Sequence, residues 1–186
     1  MNFQRAKEEI IRYSRLIWER GYAHANAGNI SARTTDGSII ITPADSIKGE
    51  LAADELIVLD NAGEVKYVKG NPSSERYMHA GLYMNNKINA VIHAHPPSTV
   101  GYSFFKEAID LSPVPEAGFI PFVAMIPYLS PGSRELSDTV SENAGDRGIL
   151  VLKKHGVVAF GDTLKECFFY IDRLEYCVKI MKELRQ

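Results

Sequence analysis

The sequence predicts an α/β fold in which helices pack on a mixed or mainly antiparallel sheet. Segments with apolar residues every three or four positions, typical of amphipathic helices, alternate with short apolar runs bounded by Gly, Asn, Asp and Pro, typical of strands. The chain has 186 residues, 45% of them hydrophobic, which suits one substantial core and is short for two. No repeat or linker divides it, so we expect a single domain over residues 1–186.

The first half predicts one helix followed by strands and turns. Residues 3–20 place apolar side chains at helical spacing, and Gly21 is a plausible stop. A strand is predicted in SIIIT, residues 38–42, after an Asp-Gly turn. LIVLD and VKYVKG, residues 56–60 and 65–70, are predicted to form a hairpin.

The second half predicts three helices and three strands. A serine before Glu75 is expected to cap a helix in ERYMHAGLYMNN, with Glu75 in its first turn. The remaining predictions are a strand in INAVIHAH, a capped helix within residues 130–145, two β runs meeting at the His-Gly turn of GILVLKKHGVVAFG, and a long helix over residues 163–186.

Charge and composition exclude several classes of protein. The net charge is −2, so no basic stripe suggests a nucleic-acid partner. The N-terminus carries charge throughout and no segment has the length of a membrane span, which predicts a cytoplasmic protein without membrane contact. Cys167 and Cys177 would lie ~15 Å apart on one helix, so they are expected to stay unpaired in a reducing compartment.

The stretch AVIHAHPP, residues 90–97, raises the first question of chemistry. Residues i and i+2 of a strand share a face ~6.5 Å apart, so His93 and His95 converge on one point. A catalytic metal needs a further protein ligand, and His155 at the end of the run ILVLKKH is the candidate. The alternative is a polar pair at a strand end.

Two short motifs predict an anion site. PSSE places the hydroxyls of Ser73 and Ser74 beside the carboxylate of Glu75 at a helix N-terminus, where anions bind readily. AGNIS, residues 27–31, is a Gly-Asn turn that offers exposed amides. Taken singly, each motif equally fits ordinary helix and turn chemistry. His79 follows Glu75 by one helical turn, where it either orients that carboxylate or packs.

Together, the motifs AGNIS, ITP, PSSE, HAH and KHGVVAFG, in this order over nearly the whole chain, resemble the class II aldolase and adducin head family, and within it the L-fuculose-1-phosphate aldolase type. The resemblance implies a three-layer α/β/α domain with a central, mainly antiparallel sheet. It also implies a homotetramer with active sites between subunits.

The resemblance further implies the site residues. Zn²⁺, or another divalent metal, would be bound by Glu75, His93, His95 and His155. Glu75 would also be the catalytic acid and base. The phosphate of a sugar-phosphate substrate would be held at Gly28, Asn29, Ala44, Asp45, Ser73 and Ser74.

The sequence departs from the family pattern at two places. After ITP the aldolases typically continue with Thr or Ser and then Gly, whereas this chain has Ala44 and Asp45, and an aspartate repels a dianion unless its side chain is turned to another partner. The aldolases also use a tyrosine from the neighbouring subunit, but the corresponding segment LSPVPEAGF has none. Glu116 is the best-placed polar residue of this segment and is a candidate catalytic acid or base, since the resemblance implies that related dehydratases carry such a glutamate in a comparable position. The alternative is a solvated loop charge.

The expected function is therefore reversible aldol cleavage of a small ketose phosphate to dihydroxyacetone phosphate and an aldehyde, through a metal-stabilised enediolate. The alternative uses the same site for dehydration, as in enzymes of methylthioribulose 1-phosphate, or for epimerisation or decarboxylation. A non-catalytic adducin-like module is least favoured, because such members lack the metal histidines that this chain keeps.

Overall fold

Eight strands form one continuous sheet in the computed structural model, which describes residues 1–67 and 70–184. The spatial order is β4-β3-β2-β1-β5-β8-β7-β6, and every neighbouring pair is antiparallel except β6 and β7, which are parallel. The strands are β1 Asn29–Arg33, β2 Ile39–Ile41, β3 Ile57–Leu59, β4 Val65–Tyr67, β5 Ala90–Ala94, β6 Val123–Ile126, β7 Gly148–Leu152 and β8 Gly156–Gly161.

Helices cover both faces of this sheet. One apolar cluster joins α1, α3 and α5 to one face, and a second cluster joins α2 and α4 to the other. The helices are α1 Phe3–Glu19, α2 Arg76–Leu82, α3 Pro97–Ser103, α4 Arg134–Asn143 and α5 Leu164–Glu183, with a short 3₁₀ helix at Pro115–Phe119. The predicted α/β/α layering around a mainly antiparallel sheet is confirmed.

The central strand β5 shows why its sequence is apolar throughout. Ala90, Ile92 and Ala94 pack in the cluster of α1 and α5, while Val91 packs in the cluster of α2 and α4. Because successive side chains of a strand point to opposite faces, a strand covered on both sides needs apolar residues at every position. His93 is the exception on the α2 side, where it places a buried polar side chain between the sheet and the helices.

The predicted long helices are confirmed. Residues 3–20 contain α1, whose N-terminus is capped by the Asn2 side chain. The last helix, α5, begins with a capping box in which Thr163 and Glu166 each satisfy the other's backbone N–H. The hairpin of β3 and β4 and the turn between β7 and β8 are also present.

One predicted boundary is wrong. Glu75 occupies the N-cap position of α2 and not its first turn. The Ser73 hydroxyl accepts the Glu75 N–H at 3.2 Å and the Ser73 carbonyl accepts the Arg76 N–H, so a turn precedes the helix. The Glu75 side chain is therefore attached at the N-terminus of α2 and not on the side of the helix.

Some predicted features lie outside the described residues, namely Val68 and Lys69 of the second hairpin strand and the last two residues of the final helix. Cys167 and Cys177 are buried and unpaired on α5, as predicted. Within residues 1–67 and 70–184, none of the helices is long and apolar enough to cross a membrane.

Candidate functional site

Three histidines meet at one end of the central strands. His93 lies in β5, His95 follows that strand directly, and His155 lies in the turn before β8. Because β5 pairs with β8, the turn that carries His155 lies against the end of β5. Gly156 permits this approach, since a Cβ there would lie 2.6 Å from the Ala94 carbonyl and 2.7 Å from the His95 ring.

The ring nitrogens are arranged as a cluster of potential ligands. One nitrogen from each of His93, His95 and His155 lies within 4.8 Å of the other two. The Nδ1–H of His93 donates to the Val157 carbonyl at 2.9 Å, so its Nε2 carries a lone pair and faces the His95 Nε2 at 2.9 Å. The Nδ1 of His155 is buried and has no hydrogen-bond partner among the described residues.

Burial keeps these imidazoles neutral. It lowers the pKa of His93 well below its ordinary value, and the neighbouring His95 and His155 add to the shift. Burial, with the same repulsion from His155, lowers the pKa of His95 to about 4, and burial also lowers the pKa of His155. Neutral imidazole is the form that binds a metal, so the cluster is prepared for a cation at neutral pH.

Glu75 completes the cluster from the start of α2. Its Oε1 lies 3.9 Å from the Nε2 of His155 and accepts the backbone N–H of Gly132 at 2.9 Å. Burial raises the pKa of Glu75 above its ordinary value, and the hydrogen bond from Gly132 opposes the rise. A buried carboxyl group with a raised pKa is suited to a role as a general acid or base.

These residues fit a divalent cation. Three neutral imidazoles and a carboxylate are the donor types of catalytic zinc sites. The buried Nδ1 of His155 supports the fit, because a buried polar atom without a protein partner is costly unless a ligand satisfies it. The residues that would hold the ion are His93, His95, His155 and Glu75.

A cavity of about 210 Å³ opens beside the histidines. It brings together every position that the sequence predicted for metal or phosphate binding, whereas Glu116, predicted as a catalytic residue, lies elsewhere. Its lining includes Gly28, Asn29, Ala44, Asp45, Ser73, Ser74, Glu75, His93, His95 and His155.

The Gly-Asn turn lies next to the histidine cluster because β1 pairs with β5. Asn29 is the register partner of His93. Gly28 has φ +76°, and a Cβ there would lie 3.0 Å from the His93 carbonyl, so the close contact of this turn with β5 favours glycine. Asn29 is 6% exposed and belongs to the lining of the cavity.

The structure accounts for the departure at Asp45. Its φ is +56°, a left-handed conformation that glycine adopts freely and that aspartate tolerates better than most residues. The carboxylate accepts a hydrogen bond from the Asn26 side chain at 2.9 Å. Ala44 donates its backbone N–H to the Asn71 carbonyl, so that N–H is already engaged. The anion pocket that the sequence predicts would therefore be formed chiefly by the Gly28–Asn29 turn and the two serines.

Lys48 is a buried part of this region that the sequence did not single out. Its ammonium group donates to the Asn26 carbonyl at 3.2 Å and to the Ser46 carbonyl at 2.8 Å, which ties the two loops of the cavity together. Burial lowers the pKa of Lys48 to about 8, while the negative charge of Asp45 opposes the shift. A single lysine in a polar loop carries no pattern that would have revealed this contact.

Glu116 lies away from the histidines within one chain. It is exposed on the 3₁₀ helix Pro115–Phe119 and lines a separate cavity of about 410 Å³ with Arg20, Asp172 and Arg173. A single chain therefore does not bring its carboxylate to the metal cluster.

His79 has contacts that sequence reasoning missed. Its ring hydrogen-bonds to the side chains of Asn29 and Ser31, whereas the sequence left open whether it orients the Glu75 carboxylate or packs. Gly132 was missed as well, because nothing in the SPGS turn signals a backbone donor to a residue 57 positions earlier. Both contacts depend on which elements pack together.

Comparisons with known proteins agree with this geometry. The family model described as the class II aldolase and adducin N-terminal domain matches residues 8–181. An L-fuculose phosphate aldolase of Methanococcus vannielii is 35% identical over 175 residues, covering 93% of each chain. A 3-oxo-tetronate 4-phosphate decarboxylase of Escherichia coli K12 is 32% identical over 187 residues, covering 96% of this chain and 86% of its own.

Solved structures show the same fold. YgbL from Klebsiella pneumoniae, for which aldolase, epimerase and decarboxylase activities have been suggested, superposes with a TM-score of 0.88 at 26% identity. The match covers 99% of this chain and 91% of that one. An L-fuculose 1-phosphate aldolase superposes with a TM-score of 0.87 at 27% identity, covering 100% of this chain and 88% of the other.

Proposed function

Because the chain belongs to the class II aldolase and adducin N-terminal domain family, we propose that it is a zinc-dependent aldolase acting on a small ketose phosphate. The products are dihydroxyacetone phosphate and an aldehyde. The observation that carries the proposal is the convergence of His93, His95, His155 and Glu75 beside a cavity that also contains the serine and Gly-Asn turns.

The metal site supplies one part of the chemistry. Zn²⁺, or another divalent cation, provides Lewis-acid stabilisation for the negative charge that develops on substrate oxygen atoms. His93 is held in the required tautomer by its hydrogen bond to Val157, and His155 offers a buried nitrogen that no described residue uses. The protein thus presents lone pairs without a prior rearrangement of these two rings.

Glu75 handles the proton. In cleavage of a ketose 1-phosphate, the hydroxyl on C4 loses its proton, the C3–C4 bond breaks, and its electrons pass towards the C2 carbonyl oxygen. C3 then takes up a proton to give dihydroxyacetone phosphate. Glu75 is placed to carry protons in these steps, because burial raises its pKa towards neutrality and Gly132 fixes one of its oxygens.

The anion pocket positions the substrate. Ser73, Ser74 and the side chain of Asn29 line the cavity beside the histidines. A phosphate held there fixes the reacting carbons next to the metal cluster, and such positioning accounts for a large share of the rate in enzymes. Asp45 lines the same cavity, and its carboxylate accepts a hydrogen bond from the Asn26 side chain.

A second function, decarboxylation of a 3-oxo sugar-acid phosphate, is favoured by one specific observation. A relative that is 32% identical over 96% of this chain is a 3-oxo-tetronate 4-phosphate decarboxylase. Loss of carbon dioxide from the carbon next to a carbonyl leaves the same kind of negative charge on the carbonyl oxygen. The residues proposed for the aldolase could therefore also stabilise this reaction. The segment over residues 111–119 also lacks the tyrosine expected of an aldolase and carries Glu116.

A paired assay tests the two functions. The zinc-loaded protein is incubated separately with L-fuculose 1-phosphate and with a 3-oxo-tetronate 4-phosphate, and dihydroxyacetone phosphate and carbon dioxide are measured. We expect dihydroxyacetone phosphate from the first substrate, with turnover lost after chelation and restored by zinc. Carbon dioxide from the second substrate without cleavage of the first would select decarboxylation. Bound zinc with neither product would contradict both functions.

We also propose that the chain works in the cytoplasm as a homotetramer whose active sites lie between subunits. The support is the position of Glu116, which lines a different cavity from the histidines within one chain. If this carboxylate contacts substrate, it does so in the site of a neighbouring copy.

Mixing two inactive variants tests the intersubunit site. We expect Glu116→Gln and His155→Ala each to lose most turnover when pure. Co-expressed in equal amounts, they should regain about a quarter of wild-type activity, because random assembly leaves that share of sites with an intact histidine cluster and an intact neighbouring glutamate. Failure of the mixture to regain activity, or a monomer in light scattering, would contradict the arrangement.

A further inference from the structure

We propose that His79 is a positioning residue, which holds the side-chain amide of Asn29 so that its NH₂ group faces the anion pocket. It does so as part of a buried chain of hydrogen bonds that runs from Tyr83 through Ser31 and His79 to Asn29. The inference deepens the proposed function and rests on its anion site.

The four side chains form a continuous path. The Tyr83 hydroxyl lies 2.8 Å from the Ser31 hydroxyl, which lies 2.6 Å from the Nδ1 of His79. The Nε2 of His79 lies 2.6 Å from the Oδ1 of Asn29. His79 and Ser31 are fully buried, and Tyr83 and Asn29 are 4% and 6% exposed.

The four side chains lie on two elements, β1 and α2, and the spacing of residues within each element places them on facing sides. Asn29 and Ser31 are two residues apart on β1, so they share the face of the sheet that α2 covers. His79 lies in α2 and Tyr83 follows four residues later, so both lie on one side of the helix. The polar side chains of α2 therefore contact the polar side chains of β1, the strand that begins at the cavity.

The direction of donation follows from the ends of the path. Among the described residues, Ser31 is the sole hydrogen-bond partner of the Tyr83 hydroxyl, and a buried phenol proton without an acceptor is costly. Tyr83 therefore donates to Ser31, and Ser31 donates its own proton to the Nδ1 of His79. That nitrogen then carries a lone pair.

The imidazole passes this direction on to Asn29. Because the Nδ1 of the fully buried His79 accepts the Ser31 hydroxyl, the single N–H of the neutral ring is on Nε2. This N–H donates to the amide, and only a carbonyl oxygen accepts it. The Oδ1 of Asn29 is thereby turned towards His79, and the NH₂ group is left for the cavity.

The consequence is a pocket that presents a donor to an anion. The opposite orientation of the amide would present an oxygen to the phosphate, which repels it. Asparagine alone has no preference between the two orientations, so the orientation of this amide is set by His79, Ser31 and Tyr83. A hydrogen bond to a charged group changes affinity about tenfold or more.

Nuclear magnetic resonance of ¹⁵N-histidine-labelled wild-type protein tests the direction without any ligand. Correlations between ring protons and ring nitrogens report which nitrogen is protonated, and the signals of His79 are those absent from His79→Gln. We expect neutral His79 with its proton on Nε2. A proton on Nδ1, or on both nitrogens at neutral pH, would overturn the proposal.

Binding of inorganic phosphate to the zinc-loaded protein tests the consequence. Leucine at position 79 keeps the volume but removes the donor, whereas glutamine places an amide N–H near the position of Nε2. We expect His79→Leu to bind phosphate about tenfold or more weakly than wild type, and His79→Gln to stay within about threefold of wild type. Zinc content should be unchanged in both variants.

The outcomes separate this proposal from the proposed function. Equal phosphate affinity of His79→Leu and wild type would overturn the role of His79 and leave the anion site standing. The same holds if His79→Gln were as weak as His79→Leu, since packing and not the donor would then matter. A wild-type protein that bound no phosphate would overturn both this inference and the anion site of the proposed function.

Discussion

Replacing His155 with alanine is expected to abolish stable binding of the divalent metal and to lower kcat/KM by about a thousandfold or more. The metal contributes several kcal/mol of charge stabilisation, and each 1.36 kcal/mol corresponds to about a tenfold change in rate. Metal content after dialysis, measured by elemental analysis, and turnover of the same sample provide the check.

Of the three histidines, His155 is the one whose replacement is expected to disturb the fewest other contacts. Its Nδ1 has no partner among the described residues, so its removal leaves no described hydrogen-bonding group unsatisfied at that nitrogen. His93, in contrast, donates to the Val157 carbonyl, and its loss would also disturb β8. A drop in metal content in His155→Ala therefore reports on ligation and not on misfolding.

His24→Ala is the matched control. His24 is exposed, its ring centre lies 6.1 Å from that of His95, and it is outside the cluster of converging nitrogens. This variant should keep its metal and most of its turnover. Equal metal content in His155→Ala and wild type would show that the cluster does not hold the metal.

Replacing Glu75 with glutamine is expected to lower kcat by about 10²- to 10⁴-fold, the range typical for loss of a general acid or base. Glutamine keeps an oxygen that accepts the Gly132 N–H, so the turn before α4 should remain in place. It removes the negative charge and the exchangeable proton. Steady-state kinetics with the substrate that the paired assay identifies provide the measurement.

The controls separate chemistry from stability. Glu135→Gln makes the same change of charge at an exposed position in the first turn of α4, and its turnover should match wild type. Thermal unfolding of Glu75→Gln should be close to that of wild type, and zinc should still bind through the three histidines. A variant with normal kcat would remove Glu75 from the proton transfers.

The sequence predicted the site more completely than its surroundings. The spacing of His93 and His95 was sufficient to place both rings together, because the period of a strand is strictly two residues. His155 required a further assumption, that its turn lies against β5, which the pairing of β5 with β8 now supplies. The predicted start of α2 was one or two residues too early, since a hydrogen bond from the Glu75 N–H to the Ser73 hydroxyl forms a turn before the helix.

The surroundings depended on contacts between distant segments. From the sequence, Asp45 was unfavourable beside an anion. Its left-handed backbone and its hydrogen bond from Asn26 explain how an aspartate is accommodated at this position. Lys48 showed no pattern in the sequence, and the position of His79 one helical turn after Glu75 did not indicate its partners. Their partners lie in other loops and strands, and a side chain's spacing within its own element does not specify those partners.

The sequence by itself determined the kinds of element, the faces that they bury and the residue types of a metal site, because periodicity and local turn chemistry act over a few residues. The tertiary structure decided which residues share the cavity: β8 beside β5 brings His155 to His93, and α2 over β1 brings His79 to Asn29. These contacts join segments about 50 to 60 residues apart. They follow from how both faces of one sheet are covered, which no local stretch of sequence specifies.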